Sequence, residues 1–407
     1  MLTKNSRAAA IILVLAALIS TSKASVLTGL DRVGAHAELF RGRRVGIITN
    51  HTAYDSNGRY IVDVFRAMPG VSVTALFSPE HGLWGTEQAG VKTDGRTHPV
   101  YKLPIHSLYG KTRKPTSEML GNIDVLVFDI QDIGARFYTY IYTMSLAMEA
   151  AAENRKRFVV LDRPNPITGH HISGPVLEPE LSSFVGMFPI PVRHGMTAGE
   201  LAKMFNEQGW LANKVRADLA IVPMKGWRRG MWYDQTGLRF IKPSPNMPDI
   251  ETAAIYPGLC LLEGTNVSEG RGTSAPFRQF GAPWIDSRRL TDRLNNLNLP
   301  AMRFEPTRFE PTSSKFKGRT CNGVRIITTD RDRLEPFYSG VGIVNEIYRM
   351  YHDEFEWKAA HFDRLCGTPK VRRAITSGTS LTELRREWEA KVKSFLKIRD
   401  KDLIYPD

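Results

Sequence analysis

The sequence predicts an α/β protein: an N-terminal domain on a parallel sheet (residues 25–250) and a smaller C-terminal α/β domain (251–407). Three observations carry this. From Arg44 to about Asp162, short apolar runs alternate with helical patterns, which implies parallel strands with helices on the sheet faces. A Pro- and Gly-rich passage, "IKPSPNMPDIETAAIYPG", follows from Ile241 and marks a junction near residue 250. Polar side chains fall just after each predicted strand, where ligands of open α/β sheets bind.

The elements follow in order. "RVGIITN" reads as a buried strand, "YIVDVFRAM" as a helix, and "VSVTALF" and "IDVLVFD" as strands. "IYTMSLAMEAAAENRK" has helical periodicity, and "RFVVLD" returns to a strand. "MTAGELAKMFNEQG" is a helix opened by a capping box, Thr197 with Glu200. Beyond the junction, "VRIITTD" predicts a strand and "PFYSGVGIVNEIYRMY" a helix, and a Ser380/Glu383 capping box opens the last helix.

The first residues have the pattern of a secretory signal. Lys4 and Arg7 precede an apolar run from Ala8 to Ile19, and small residues lead to cleavage after Ala24. The run is shorter than the roughly 20 residues a membrane span needs, so the expectation is an exported, periplasmic or extracellular protein without stable membrane insertion after cleavage. Losing Lys4, Arg7 and Lys23 takes the formal net charge from +13 to +10, still basic. Outside the cytoplasm this favours an anionic envelope polymer as partner. No basic run interleaved with aromatics speaks for nucleic acid. Cys260, Cys321 and Cys366 are too few and scattered for a disulfide framework or a zinc cluster. The sequence leaves the oligomeric state open.

Four strand ends carry the side chains capable of chemistry: Asn50 and His51, then Glu80 and His81, then Asp129 and Gln131, then Asp162, Arg163 and Asn165. They point to one shared cleft. In "FSPEHG", Pro79 ends the strand and presents Glu80 and His81; a carboxyl at an apolar strand end suits a general acid. "FDIQDIGARFYTYIYT" adds Arg136 and Tyr138, a set of amide, carboxylate, guanidinium and phenol that suits a polyhydroxylated ligand. His194 lies just before a helix N-terminus, where an anion is favoured. "EGTNVSEGRGT" places Glu263, Glu269 and Arg271 on a glycine-rich loop past the junction. Its glycines would let the backbone approach a sugar closely. No complete P-loop, G-x-S-x-G, H-E-x-x-H or G-x-G-x-x-G motif occurs.

Taken together, "GIITNHT", "FSPEHG", "FDIQDIGARFYTY", "LDRPNPI", "EGTNVSEGRGT" with "PFRQFGAPW", and "HFDRLCGTP" resemble the NamZ-type exo-β-N-acetylmuramidases over nearly the whole chain. The resemblance implies a Rossmann-like catalytic domain, a smaller C-terminal α/β domain with the active site in the cleft between them, and the release of N-acetylmuramic acid from the non-reducing ends of peptidoglycan fragments, with no metal or nucleotide cofactor. It makes Glu80 an essential carboxylate, most simply the acid, with Glu263, Glu269 or Asp129 in the second role. The sugar's 2-acetamido group is an alternative nucleophile. The expected ligands are muramyl saccharides, and Arg271, Arg136 and Arg163 are candidate partners for the lactyl carboxylate. The chain departs from the family at His51, which stands where "TNPT" has proline. A non-catalytic periplasmic muropeptide-binding protein is the competing expectation. An amidase acting on the peptide stem is the weaker one, since no metal triad or nucleophile motif is present.

Overall fold

A computed structural model describes residues 26–86 and 96–407; the predicted signal segment lies outside the described residues. In chain order the N-terminal part contains β1 (Arg44–Thr49), α1 (Ile61–Arg66), β2 (Ser72–Ser78), β3 (Arg96–Thr97), β4 (Pro104–Ser107), α2 (Ser117–Leu120) and β5 (Val125–Asp129). It continues with α3 (Tyr140–Glu153), β6 (Arg157–Leu161), β7 (Ser173–Val176), β8 (Pro191–Arg193), α4 (Ala198–Glu207) and β9 (Asp218–Val222). The main sheet has the order β3-β4-β2-β1-β5-β6-β9 and is parallel except where β3 meets β4. The chain starts at the centre with β1, builds outward through β2, then crosses to β5, so β1 and β5 flank the point where the winding reverses.

Alternation within these strands explains both layers. Ile47, Leu76, Val127 and Val159 pack into one core with α1, whereas Ile48, Phe77, Phe128 and Val160 face a second, larger core. That larger core runs without a break past residue 250 to Phe395.

The junction region begins α5 (Ile250–Leu259), capped by the Asp249 side chain, which accepts from Thr252 N at 2.9 Å. Beyond it lie β10 (Gln279–Ala282), α6 (Ser287–Asn296), β11 (Met302–Phe309), β12 (Cys321–Thr328), α7 (Pro336–Met350), α8 (Ala359–Cys366), α9 (Lys370–Ser377) and α10 (Leu381–Arg399). β10-β12-β11 form a separate antiparallel sheet. The Thr197/Glu200 capping box forms as expected. At Ser380 the helix starts as expected, but the Ser380 side chain makes no capping bond.

Two buried polar residues tie the halves together. Arg136 is fully buried and donates to the carbonyls of Pro175 (2.8 Å) and Ile190 (3.2 Å) and, across the junction, of Leu365 on α8 (2.7 Å). Asp162 accepts from Arg163 N (3.0 Å), Gly199 N (2.8 Å), Thr197 Oγ1 (2.6 Å) and Tyr405 Oη (2.6 Å). The last residues of the chain therefore return to the N-terminal sheet. Asp162→Ala strands four buried donors, and the expected cost is about 3–5 kcal/mol, read as a lower urea midpoint. An unchanged midpoint would refute the structural role.

Candidate active site

The turn after β2 is built by backbone geometry. Gly82 N donates to Pro79 O at 3.1 Å, and His81 and Gly82 take φ of 70° and 73°. A non-glycine residue in the left-handed region costs of order 1 kcal/mol or more and tends to mark a functional turn. The turn leaves Glu80 and His81 half-buried at the sheet end. Thr139 Oγ1 donates to Glu80 Oε2 at 2.7 Å, and the Tyr109 hydroxyl, pushed up by burial and then by Glu80, lies beside the same carboxylate.

His81 opens into a cleft of about 440 Å3 that both halves of the chain line. Pro245 and Asn246 come from before the junction; Glu263, Glu269, Arg271, Lys315, Lys358 and His361 come from after it. Arg271 organises the far wall. Its Nη2 donates to Glu263 Oε1 at 2.5 Å, its Nε lies 3.3 Å from Glu269 Oε1, and its guanidinium stacks 5.0 Å over the Phe277 ring. Lys315 Nζ donates to Glu269 Oε2 (2.9 Å) and to the carbonyls of Leu262 and Val267 (2.8 Å each). His361 Nε2 lies 3.7 Å from Glu263 Oε2. Although burial works against its charge, Arg271 and then His361 hold the Glu263 carboxyl down at about 2.

An aromatic pair links the two walls. Tyr138 and Tyr256 meet edge to face with centroids 6.1 Å apart. The Tyr138 hydroxyl, pushed up chiefly by burial, also feels Glu80; the Tyr256 hydroxyl, likewise raised by burial, feels Glu263 and Arg271.

The glycines of the loop serve a different purpose from the one expected. Gly270 and Gly272 have φ of 78° and 77°, and a Cβ on them would meet Gln279 O at 2.6 Å and Ser313 N at 2.5 Å. At Gly264 it would meet Phe362 Cα at 2.6 Å. They permit close approach of protein backbone, which locks the loop in place, rather than approach to a sugar.

The other strand ends do not join this cleft. Asp129 is fully buried in a two-bond ion pair with Arg163, whose guanidinium stays above its ordinary value despite burial. Asn50 closes an Asx turn, its Oδ1 accepting from Thr52 N (3.0 Å) and Thr52 Oγ1 (2.6 Å). Gln131 Nε2 donates to the carbonyls of Asp132 (2.7 Å) and Pro164 (2.9 Å). Asn165 bridges Met196 O and Ile167 N, and Asp162 holds α4 and Tyr405 as described. Arg163 instead lines a second cavity of about 570 Å3 with His51 and Tyr54. His51, the family departure, donates from Nε2 to Lys242 O (2.8 Å) beneath Gly85, where a Cβ would overlap its ring at 1.8 Å.

Two cationic expectations also fail. Arg136 is fully buried with both terminal nitrogens on backbone carbonyls, so it is no partner for a substrate carboxylate. His194 is fully buried and pushed down to about 3 by burial and then by three arginines, so it is neutral; the nearby helix end is already met by Thr197 and Asp162. Sequence reasoning missed Lys315, Lys358 and Tyr109, which belong to segments without periodic or motif signals, and Thr139, which lay inside the quoted "FDIQDIGARFYTY" but without a role. His361 lay inside the quoted "HFDRLCGTP" but without a role.

Comparison with known proteins matches this architecture. Residues 45–251 match the family model described as exo-β-N-acetylmuramidase NamZ, N-terminal, and residues 254–405 match its C-terminal counterpart. The peptidoglycan β-N-acetylmuramidase NamZ of Bacillus subtilis is 47% identical over 388 residues, covering 95% of this chain and 93% of that protein. Two crystal structures of DUF1343-family proteins from Bacteroides fragilis superpose with TM-scores of 0.87 and 0.79. Their identities are 38% and 31%, each match covers 94% of this chain, and they cover 99% and 100% of those chains. With both halves of the chain matched in order, and a relative this similar along nearly its full length, the protein belongs to the NamZ family of exo-β-N-acetylmuramidases.

Proposed function

We propose that this chain is an exo-acting glycoside hydrolase that releases N-acetylmuramic acid from the non-reducing ends of peptidoglycan fragments, with Glu80 as the general acid. The observation that carries it is the meeting, around one cleft, of His81, the chain neighbour of Glu80, with the Glu263–Arg271–Glu269 cluster. Hydrolysis of a glycoside needs a proton for the leaving oxygen and a negative group for the oxocarbenium-like centre. Glu80, half-buried and steadied by Thr139, suits the first role.

The second role narrows to Glu263. Held near 2, it is ionised at any working pH and cannot be the acid. It remains about one-fifth exposed, whereas Glu269 is 3% exposed and committed to Arg271 and Lys315, and Asp129 is buried with Arg163. Glu263 therefore stabilises developing positive charge or orients the substrate's 2-acetamido group, and Glu269 positions Arg271. The secretory pattern read in residues 1–24 supports a reading in which this chemistry takes place outside the cytoplasm, where the polymer substrate lies.

Mass analysis of a muramyl-glucosamine disaccharide after incubation is expected to find free N-acetylmuramic acid; intact disaccharide bound to the protein would favour a binding role. For Glu80→Gln, kcat falls about 10²–10⁴-fold with an unchanged unfolding midpoint, and normal turnover would remove Glu80 from the mechanism. Glu263→Gln lowers the melting temperature at pH above the ordinary carboxyl value of 4.5. Because the folded-state value is depressed, that deficit relative to the parent shrinks as pH falls from 4.5 toward about 2. A deficit that is constant across this range would contradict the ion-pair assignment. N-terminal sequencing of exported protein should begin at Ser25; a start at Met1 would oppose the signal reading.

A further inference from the structure

We propose that Lys358 is the residue that recognises the carboxylate of the sugar's 3-O-lactyl group and so sets the preference for muramic acid over glucosamine. This rests on the muramidase reading and adds to it a residue that neither the sequence motifs nor the similarity to relatives singles out.

The argument begins with charge. Three lysine and arginine side chains line the cleft, Arg271, Lys315 and Lys358, facing the carboxylates of Glu263 and Glu269. Arg271 pairs with both carboxylates, and Lys315 pairs with Glu269. The two acids are thereby matched by two cations. An ammonium has three donors, and Lys315 has spent all of them on Leu262 O, Val267 O and Glu269. Lys358 alone among these three makes no ion pair or side-chain hydrogen bond among the described residues, and its side chain is exposed to the cleft. Its charge is the surplus of the site.

Its base is fixed. Lys358 N donates to Gly264 O at 2.9 Å, tying it to the loop that carries Glu263, and Lys358 O accepts from Phe362 N at 2.9 Å in the first turn of α8. A long flexible arm thus leaves from a rigid point beside the proposed sugar site. N-acetylmuramic acid and N-acetylglucosamine differ at the 3-oxygen, where only the former carries a carboxylate. The sequence-level alternatives for this contact are otherwise occupied: Arg136 on carbonyls, Arg163 on Asp129, Arg271 on two glutamates. A charge-assisted hydrogen bond from Lys358 supplies the discrimination.

The test compares parent, Lys358→Met and Lys358→Arg proteins on a chromogenic β-N-acetylmuramide, with calorimetric binding of N-acetylmuramic acid and of its lactyl methyl ester. Lys358→Met is expected to raise KM for the muramide about 10- to 100-fold with kcat changed less than about threefold, and Lys358→Arg to recover most of the loss. Esterifying the lactyl group weakens binding to the parent but makes no further difference to Lys358→Met, as coupled partners in a cycle must behave. An ester penalty of equal size in both proteins, with unchanged KM, overturns the assignment. If the parent hydrolyses the muramide and Lys358→Met matches it, this inference fails and the hydrolase reading stands. If the parent binds N-acetylmuramic acid through Lys358 without cleaving the muramide, the hydrolase reading fails and this assignment stands.

Discussion

Arg271, held between Glu263 and Glu269, is the interaction on which the cleft depends. Two carboxylates brought this close would repel, and one would take up a proton, unless a cation lay between them. Arg271 prevents that, and Lys315 completes the match from the loop around residue 315. The arrangement keeps Glu263 ionised, freezes the glycine loop and leaves the net charge of the wall to Lys358. On the proposed reading, acid chemistry is thereby separated from charge stabilisation: Glu80 lies among tyrosines and a threonine on the sheet side, and Glu263 lies in a cationic setting on the other.

The sheet explains why so few polar strand ends face the cleft. At the centre of a parallel sheet neighbouring strands lie about 4.8 Å apart, so side chains leaving β1, β5 and β6 crowd one another and bury. A buried polar group must find a partner, and the partners at hand are the adjacent strand ends. Asp129 takes Arg163, Asn50 takes Thr52, and Asp162 takes the N-terminus of α4 and Tyr405. β2 flanks β1 just as β5 does, but its turn, with two left-handed residues, carries Glu80 and His81 clear of that network.

Local signals made much of the fold legible. The strands around Ile47, Leu76, Val127 and Val159 and the helix opened by Thr197 follow from periodicity and capping chemistry, which act within a few residues. The Ser380 position shows the limit: the helix begins there, but the hydroxyl does not cap it. The antiparallel sheet of β10, β11 and β12 was mostly illegible, because "MRFEPTRF" contains a proline and is exposed on alternate positions along an edge.

The sequence by itself determined the α/β class, the family motifs and the chemical types available at each strand end, since these depend on residue identity and short-range spacing. Only the tertiary structure decided which of those groups remain open to a ligand. Arg136, His194 and Asp162 looked alike in kind to Arg271, His81 and Glu80, yet the first three are sealed by burial and hydrogen bonds while the others reach or adjoin the cleft. That choice depends on packing between residues more than a hundred positions apart, such as Arg136 with Leu365 and Asp162 with Tyr405, and no local pattern encodes it.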